Sequence, residues 1–146
     1  MTQDKFKDKV VVKKRYYDSG ALLAEVPYEN GEMHGIEKVY YESGALLAES
    51  TYVNGKAHGV LKRYYESGTP HFEVPCVNGK IHGISRFYHK TGALKREVPY
   101  VNDKEHGVEK HYDKDKSNID CLTLYDKGRE ALILCCESYG TVSKTS

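Results

Sequence analysis

The chain has 146 residues, 39% hydrophobic and 29% charged, which fits one domain. The apolar share lies below the roughly 45–50% of an average globular domain, a class that counts Gly and omits Tyr, so a thick closed core is not expected. Lys+Arg 22 against Asp+Glu 21 gives a net charge of +1, which argues against a bulk basic nucleic-acid binder and against an acidic tail.

Residues 1–12 read as a lead-in and first edge strand. Their start, 1–9, is polar and mixed in charge, with no secretory signal. No apolar run approaches the roughly 20 residues of a membrane-spanning helix. Cys76, Cys121, Cys135 and Cys136 lack CxxC spacing and read as free thiols of a reducing compartment, so the expected location is cytoplasmic.

From Lys13 a period of 24 residues runs without insertion through 13–36, 37–60, 61–84 and 85–108; a fifth unit starts at Glu109 and decays after Tyr112. Tyr16, Tyr40, Tyr64, Tyr88 and Tyr112 share one position. Asn30, Asn54, Asn78 and Asn102 share another, and the pairs His34-Gly35, His58-Gly59, His82-Gly83 and His106-Gly107 a third. Of 13 glycines, all but Gly128 and Gly140 sit at repeat positions, so glycine serves turns and not linkers. Periods of this length imply stacked supersecondary units.

Each unit holds two turn signals, one like Glu42-Ser43-Gly44 and one like Asn54 to Gly59. The Tyr-, Val-, Leu- and Ile-rich runs between them fit strands and are too short for stable helices. Two strands per unit predict an antiparallel meander of about ten strands, spanning roughly 45 Å. A two-residue turn at Ser19-Gly20, and a longer turn over 30–35 centred between Gly31 and Glu32, put one charged row across the sheet. It reads Lys14, Glu25, Lys38, Glu49, Lys62, Glu73, Arg86, Glu97, Lys110. The sign alternates at every strand, which fixes register against a slip.

On the same face a second row pairs Tyr16 with Leu23 and Tyr40 with Leu47, and a third pairs Val12 with Pro27 and Val60 with Pro75. Pro27, Pro75 and Pro99 share a phase and are expected near strand ends where pairing stops. The opposite face carries Tyr17, Leu22 and Tyr41, and beside them Arg15, Ala24, Val39, Phe72, Phe87 and Arg96. Neither face is purely apolar. The predicted fold is therefore all-β: a single-layer antiparallel meander of β-hairpin repeats over 13–112.

A C-terminal capping hairpin is expected over 113–137. Residues 119–125 alternate like a strand, and Tyr125-Asp126-Lys127-Gly128 echoes the Tyr-Tyr-Glu-Ser-Gly turn. Residues 129–137 are the most apolar run, read as a final strand or a short capping helix. Residues 138–146 read as a loose tail.

Four in-phase copies of Tyr-Tyr-x-x-Gly-x-Leu followed by Tyr-x-Asn-Gly-Lys-x-His-Gly resemble the variant form of the MORN-repeat family, strongly over 13–112. The resemblance implies a scaffold built of β-hairpins. Bacterial members are often named YwqK-like antitoxins, which implies a partner toxin. The wider family implies protein scaffolding and, in eukaryotic members, membrane or phosphoinositide contact. The chain has no Trp, so no role of a family Trp carries over.

Catalytic chemistry is not expected. Successive phased histidines are two strands, about 10 Å, apart, too far to share a zinc. The row glutamates repeat with the same neighbours, so nothing separates their pKa values as acid–base catalysis requires. Cys135 and Cys136 read as packing residues. No nucleophile elbow, P-loop or dinucleotide fingerprint occurs. No enzyme, metal or cofactor is predicted.

The tyrosine grid fits two readings: a binding surface, because interfaces favour Tyr and Arg, and a purely structural ladder of aromatic rows. The candidate partner-binding residues are the tyrosines Tyr40, Tyr41, Tyr64, Tyr65 and Tyr88, with Arg63. Units three and four break the repeat at Thr69, Pro70, His71, Phe72, Cys76, Phe87 and His89. From this patch His71, Phe72, Phe87 and His89 join the candidates. The expected partner is a protein, bound by stoichiometric occlusion. Two further readings stay open: a membrane-surface adaptor contacting anionic lipid, and self-assembly through edge strands.

Overall fold

A computed structural model describes residues 10–114, 118–136 and 142–145, with Cys136 and 142–145 described by backbone alone. Every regular element among them is a strand. The first repeat supplies β1 (Val11–Tyr16), β2 (Leu22–Glu29) and the short β3 (Glu32–Met33). The second gives β4 (Gly35–Tyr40), β5 (Leu46–Val53) and β6 (Lys56–Ala57). The third gives β7 (Gly59–Tyr64), β8 (Pro70–Val77) and β9 (Lys80–Ile81), and the fourth β10 (Gly83–Tyr88), β11 (Leu94–Val101) and β12 (Lys104–Glu105). The chain closes with β13 (Gly107–Tyr112), β14 (Ile119–Asp126), β15 (Arg129–Cys136) and β16 (Val142–Thr145). All join one antiparallel sheet. Twelve strands lie along its path in sequence order, and β3, β6, β9 and β12 hang from the strand before them.

The alternating row forms as the charge pattern requires. Lys14 lies opposite Glu25, Glu25 opposite Lys38, and Lys38 opposite Glu49. The row continues through Lys62, Glu73, Arg86 and Glu97 to Lys110. Within hairpins Val12 faces Pro27 and Val60 faces Pro75, as expected.

The turns differ from the sequence reading in two ways. The first is a three-residue loop, Asp18-Ser19-Gly20, and not a two-residue one. The Gly20 N–H donates to the Tyr17 carbonyl and the Tyr17 N–H to the Ala21 carbonyl, both at 2.9 Å, with Gly20 left-handed at φ 87°. Such a loop brings a bulge. Tyr16 therefore faces Leu22 and Tyr40 faces Leu46, which corrects the row that paired them with Leu23 and Leu47.

The second turn is a two-residue one at Asn30-Gly31, both left-handed (φ 52° and 85°), followed by β3 and a break at His34-Gly35. The break explains the prolines. Pro27 lies inside β2, not at its end, but its carbonyl accepts from the His34 N–H at 3.0 Å, on the side where the ladder to β4 is interrupted. The N–H that proline lacks has no ladder position to fill there. The tips of these turns join successive repeats: the Gly55 N–H donates to the Met33 carbonyl, Gly79 to Ala57, Asp103 to Ile81 and Gly128 to Glu105, at 2.8–2.9 Å.

Gly128 therefore belongs to the Asn-Gly turn series and not to the Tyr-Tyr-Glu-Ser-Gly series. Lys127 takes the left-handed place of Asn (φ 51°), and Asp126 pairs Arg129 as Glu29 pairs Glu32. Residues 129–136 are strand, which settles the strand-or-helix alternative for them; Glu137 lies outside the described residues. A strand at Val142–Thr145 pairs β15 where a loose tail was expected; 138–141 and 146 lie outside the described residues. Cys121 and Cys135 are directly opposite and form a disulfide, correcting the reading of both as free thiols; Cys76 is free.

Burial concentrates on the face opposite the charged row. Ala24, Val26, Ser50, Ser85, Val98, Glu109 and Thr123 are buried there. Apart from Ala24 they form a single row: Lys13 faces Val26, Glu37 faces Ser50, Leu61 faces Val74, Ser85 faces Val98, and Glu109 faces Thr123. The thin core is this row. Long side chains of the same face cover it, as Lys13 Nζ lies 4.4 Å above the Tyr28 ring.

Candidate partner-binding face

Two sets of tyrosine hydroxyls tie one repeat to the next. Tyr17, Tyr41 and Tyr65 donate to the carbonyls of Tyr40, Tyr64 and Tyr88, at 2.8, 2.8 and 3.0 Å. Tyr40, Tyr64, Tyr88 and Tyr112 donate to the carboxylates of Glu25, Glu49, Glu73 and Glu97, at 2.8–3.1 Å. The five candidate tyrosines therefore have committed hydroxyls; what Tyr40, Tyr41, Tyr64, Tyr65 and Tyr88 can offer a partner is ring surface.

Glu25 and Glu97 of the row are held ionised, with pKa values below the usual range. Glu97 accepts from Arg86 Nε at 3.0 Å and from Tyr112, with Lys110 Nζ at 4.0 Å. Burial pushes its carboxyl up, but the Tyr112 and Arg86 hydrogen bonds and the nearby cations outweigh it, leaving the pKa below the usual 4.5. The Glu-bonded tyrosines Tyr40, Tyr64, Tyr88 and Tyr112 shift the other way. Burial first, then the hydrogen bond to Glu49, pushes Tyr64 up to about 12. Burial and Glu109 push Tyr125 to about 12 as well.

A phenol whose folded pKa is raised favours the fold fully below its ordinary value of 10, and that contribution is lost as pH rises towards 12. Alkaline titration followed at the tyrosinate absorbance band is therefore expected to show a late-ionising set whose appearance coincides with loss of the β circular-dichroism signal. Ionisation of every tyrosine near pH 10 with the sheet intact would contradict the inter-repeat hydrogen bonds.

Of the residues that break the repeat, His71, Phe72 and Phe87 come together on the buried-row face. Tyr65 stacks on His71 (centroids 4.4 Å apart), His71 meets Phe72 at 5.3 Å, and Phe72 meets Phe87 at 6.1 Å. The Arg96 guanidinium lies 4.3 Å above the Phe87 ring. One ladder row carries most of this: Arg63 faces Phe72, Phe72 faces Phe87, Phe87 faces Arg96, and Arg96 faces His111. Arg96 Nη1 and His111 Nε2 both reach Glu109 Oε1, at 3.1 and 3.0 Å. A shallow cleft of about 210 Å³ opens beside His71, Phe87, Lys95 and Arg96.

Burial is the main cause lowering the His71 pKa from 6.5, with Arg63 and Lys95 adding to it, so the ring is neutral at pH 7. Arg63 is exposed, while His71, Phe72 and Phe87 are half-buried. His89 stands apart in the β10–β11 turn, where its N–H donates to the Ala93 carbonyl at 2.9 Å. It occupies the position of Tyr17, Tyr41 and Tyr65 and so ends their series. Cys76 faces Ile81 on another row.

Sequence reasoning missed Lys95, His111 and the buried Glu109 as parts of this cluster. The signal was present: Lys95 and His71 both stand where units one and two have Leu23 and Leu47. Among the described residues no group of three or more His, Cys, Asp or Glu side chains is placed to hold a metal, and no helix is long and apolar enough to cross a membrane.

The pattern of the MORN repeat variant family matches the chain four times in succession, at residues 9–30, 33–54, 57–80 and 81–102. The chain belongs to the MORN repeat variant family. The family's frame has the same period as the hairpins and assigns the fold to a repeat scaffold. In this MORN-variant chain the matches stop at residue 102, so β12 to β16 lie beyond the four matched repeats. A comparison with curated proteins finds no match.

Proposed function

We propose that the chain is a non-enzymatic MORN-variant scaffold that binds a protein partner on the face formed by Tyr65, His71, Phe72, Phe87 and Arg96. Occlusion of the partner one-to-one, as an antitoxin- or immunity-type protein acts, is the form the reading takes. The observation that carries it is the contiguity of four departures from the repeat: a scaffold that needed only its ladders would keep the repeat, and here His71, Phe72, Phe87 and Arg96 form one aromatic and cationic patch. Aromatic and Arg side chains dominate interface energies. The opposite face supports a charge-driven membrane role less well, since its cations alternate with Glu at every strand.

Affinity capture from lysate of the host organism, with the intact chain and a Phe72→Ala/Phe87→Ala double variant, tests this. The expected result is one protein retained in stoichiometric amount by the first and reduced at least tenfold on the second, with both variants folded by circular dichroism. Equal retention would remove the patch assignment.

A second reading rests on the end strand. Val11, Val12 and Tyr16 of β1 are 46%, 51% and 59% exposed, and an open edge can pair with a second copy, although Lys13, Lys14 and Arg15 oppose this. Sedimentation equilibrium giving a concentration-independent monomer mass would exclude it.

A further inference from the structure

The partner-binding face has a charge imbalance that narrows its ligand. Arg96 and His111 are satisfied by Glu109. Arg63 and Lys95 have no carboxylate partner among the described residues; Arg63 lies opposite Phe72, and Lys95 lines the cleft together with His71. Between them run the faces of His71 and Phe72, continuous with Phe87. In the Lys14–Lys110 row of the other face the cations are interleaved with Glu; here the residues between Arg63 and Arg96 are aromatic. The cleft, at about 210 Å³, is smaller than the roughly 300–1,000 Å³ of a small-molecule site. It has the scale of a side chain and not of a cofactor.

We propose that Arg63 and Lys95 capture a carboxylate of an acidic peptide segment whose adjacent apolar side chain rests on Phe72 and Phe87. The inference rests on the partner-binding reading and adds the chemistry of the partner. Arg63 offers a planar fork that matches a carboxylate, and Lys95 a second, mobile donor. The aromatic floor supplies the area that an exposed ion pair lacks.

The probe is a phage-displayed library of random peptides selected on the full chain, followed by fluorescence anisotropy of a selected peptide. Enriched sequences are expected to carry Asp or Glu next to an aromatic or aliphatic residue. Arg63→Glu and Lys95→Glu are each expected to weaken the peptide about tenfold. Arg63→Gln and Lys95→Gln, which disturb the fold less, are expected to weaken it by a smaller factor and to flatten its salt dependence.

Peptides without acidic bias, lost on Phe72→Ala but indifferent to the Arg63 and Lys95 variants, would overturn this inference and leave the partner-binding face standing. Peptides indifferent to Phe72→Ala, or no enrichment at all, would overturn both.

Discussion

Replacing Arg96 with methionine is expected to lower the unfolding free energy by about 3 kcal/mol, because it leaves a buried carboxylate short of its cation. Glu109 is 4% exposed, and its Oε1 takes both the Arg96 guanidinium and the His111 ring. Methionine keeps an unbranched stem and removes the charge, its donors and the guanidinium's contact with the Phe87 ring. His111 is half-buried and carries a charge only when protonated, so it does not replace a permanent guanidinium. Urea unfolding followed by circular dichroism measures the effect. The control is Lys14→Met, at an exposed pair on the other face, where no measurable change is expected. Equal effects from the two would mean that Glu109 is not held as described.

Gly83→Ala is expected to destabilise by about 3 kcal/mol and Gly59→Ala by roughly half of that. Both glycines are left-handed, with φ 116° and 108°. They differ in what an added methyl would meet. At Gly83 it would lie 3.0 Å from Cγ of Pro75, a ring that cannot swing away; at Gly59 the nearest atom is Cβ of Thr51, at 3.5 Å. The backbone strain is shared, and the clash belongs to the repeats that hold proline. Thermal unfolding of the two variants side by side reads the difference. Equal losses would show that the break beside Pro75 has room the geometry denies it.

The sheet was legible because its signals repeat. The alternating row from Lys14 to Lys110 fixes register by sign alone, and the Asn-Gly and Ser-Gly pairs announce turns. The loop length was less legible. Ser19-Gly20 looks like a two-residue turn, and only the Tyr17 hydrogen bonds show that Asp18 joins it and that Leu23 falls out of register. The His34-Gly35 break was hidden because it moves the pairing by two residues and so keeps every side chain on its face.

The phase slip at the C-terminus had a similar cause. The Asp113 N–H donates to the Asn118 carbonyl, closing a loop one residue longer than the Tyr17–Ala21 loop. That extra residue shifts Lys127-Gly128 out of the period of 24. The disulfide was invisible because spacing says nothing of cross-strand neighbours, and only the β14–β15 register brings Cys121 and Cys135 together.

For the site, the sequence marked the right departures but not their reach. His71, Phe72 and Phe87 stand out against the repeat, and their contiguity follows from the register. Glu109 could not be found that way, since a glutamate at a position that elsewhere holds Lys13, Glu37, Leu61 and Ser85 carries no sign of burial. The tyrosines were ambiguous for a physical reason: their rings suit an interface, while their hydroxyls are acceptor-seeking and find Glu and carbonyl partners one repeat away.

The central claim is that the aromatic and cationic face of repeats three and four receives a protein. Hydroxyl-radical footprinting of the chain alone and in complex with its captured partner tests this most directly, because the reagent reports side chains and not the sheet's own backbone pairing. The expected result is reduced oxidation of Tyr65, His71, Phe72 and Phe87 in the complex, with Tyr16 and Tyr28 unchanged. Protection confined to Tyr16 and the β1 edge, or to the Asn-Gly turn tips, with Phe72 and Phe87 oxidised as in the free chain, would contradict it.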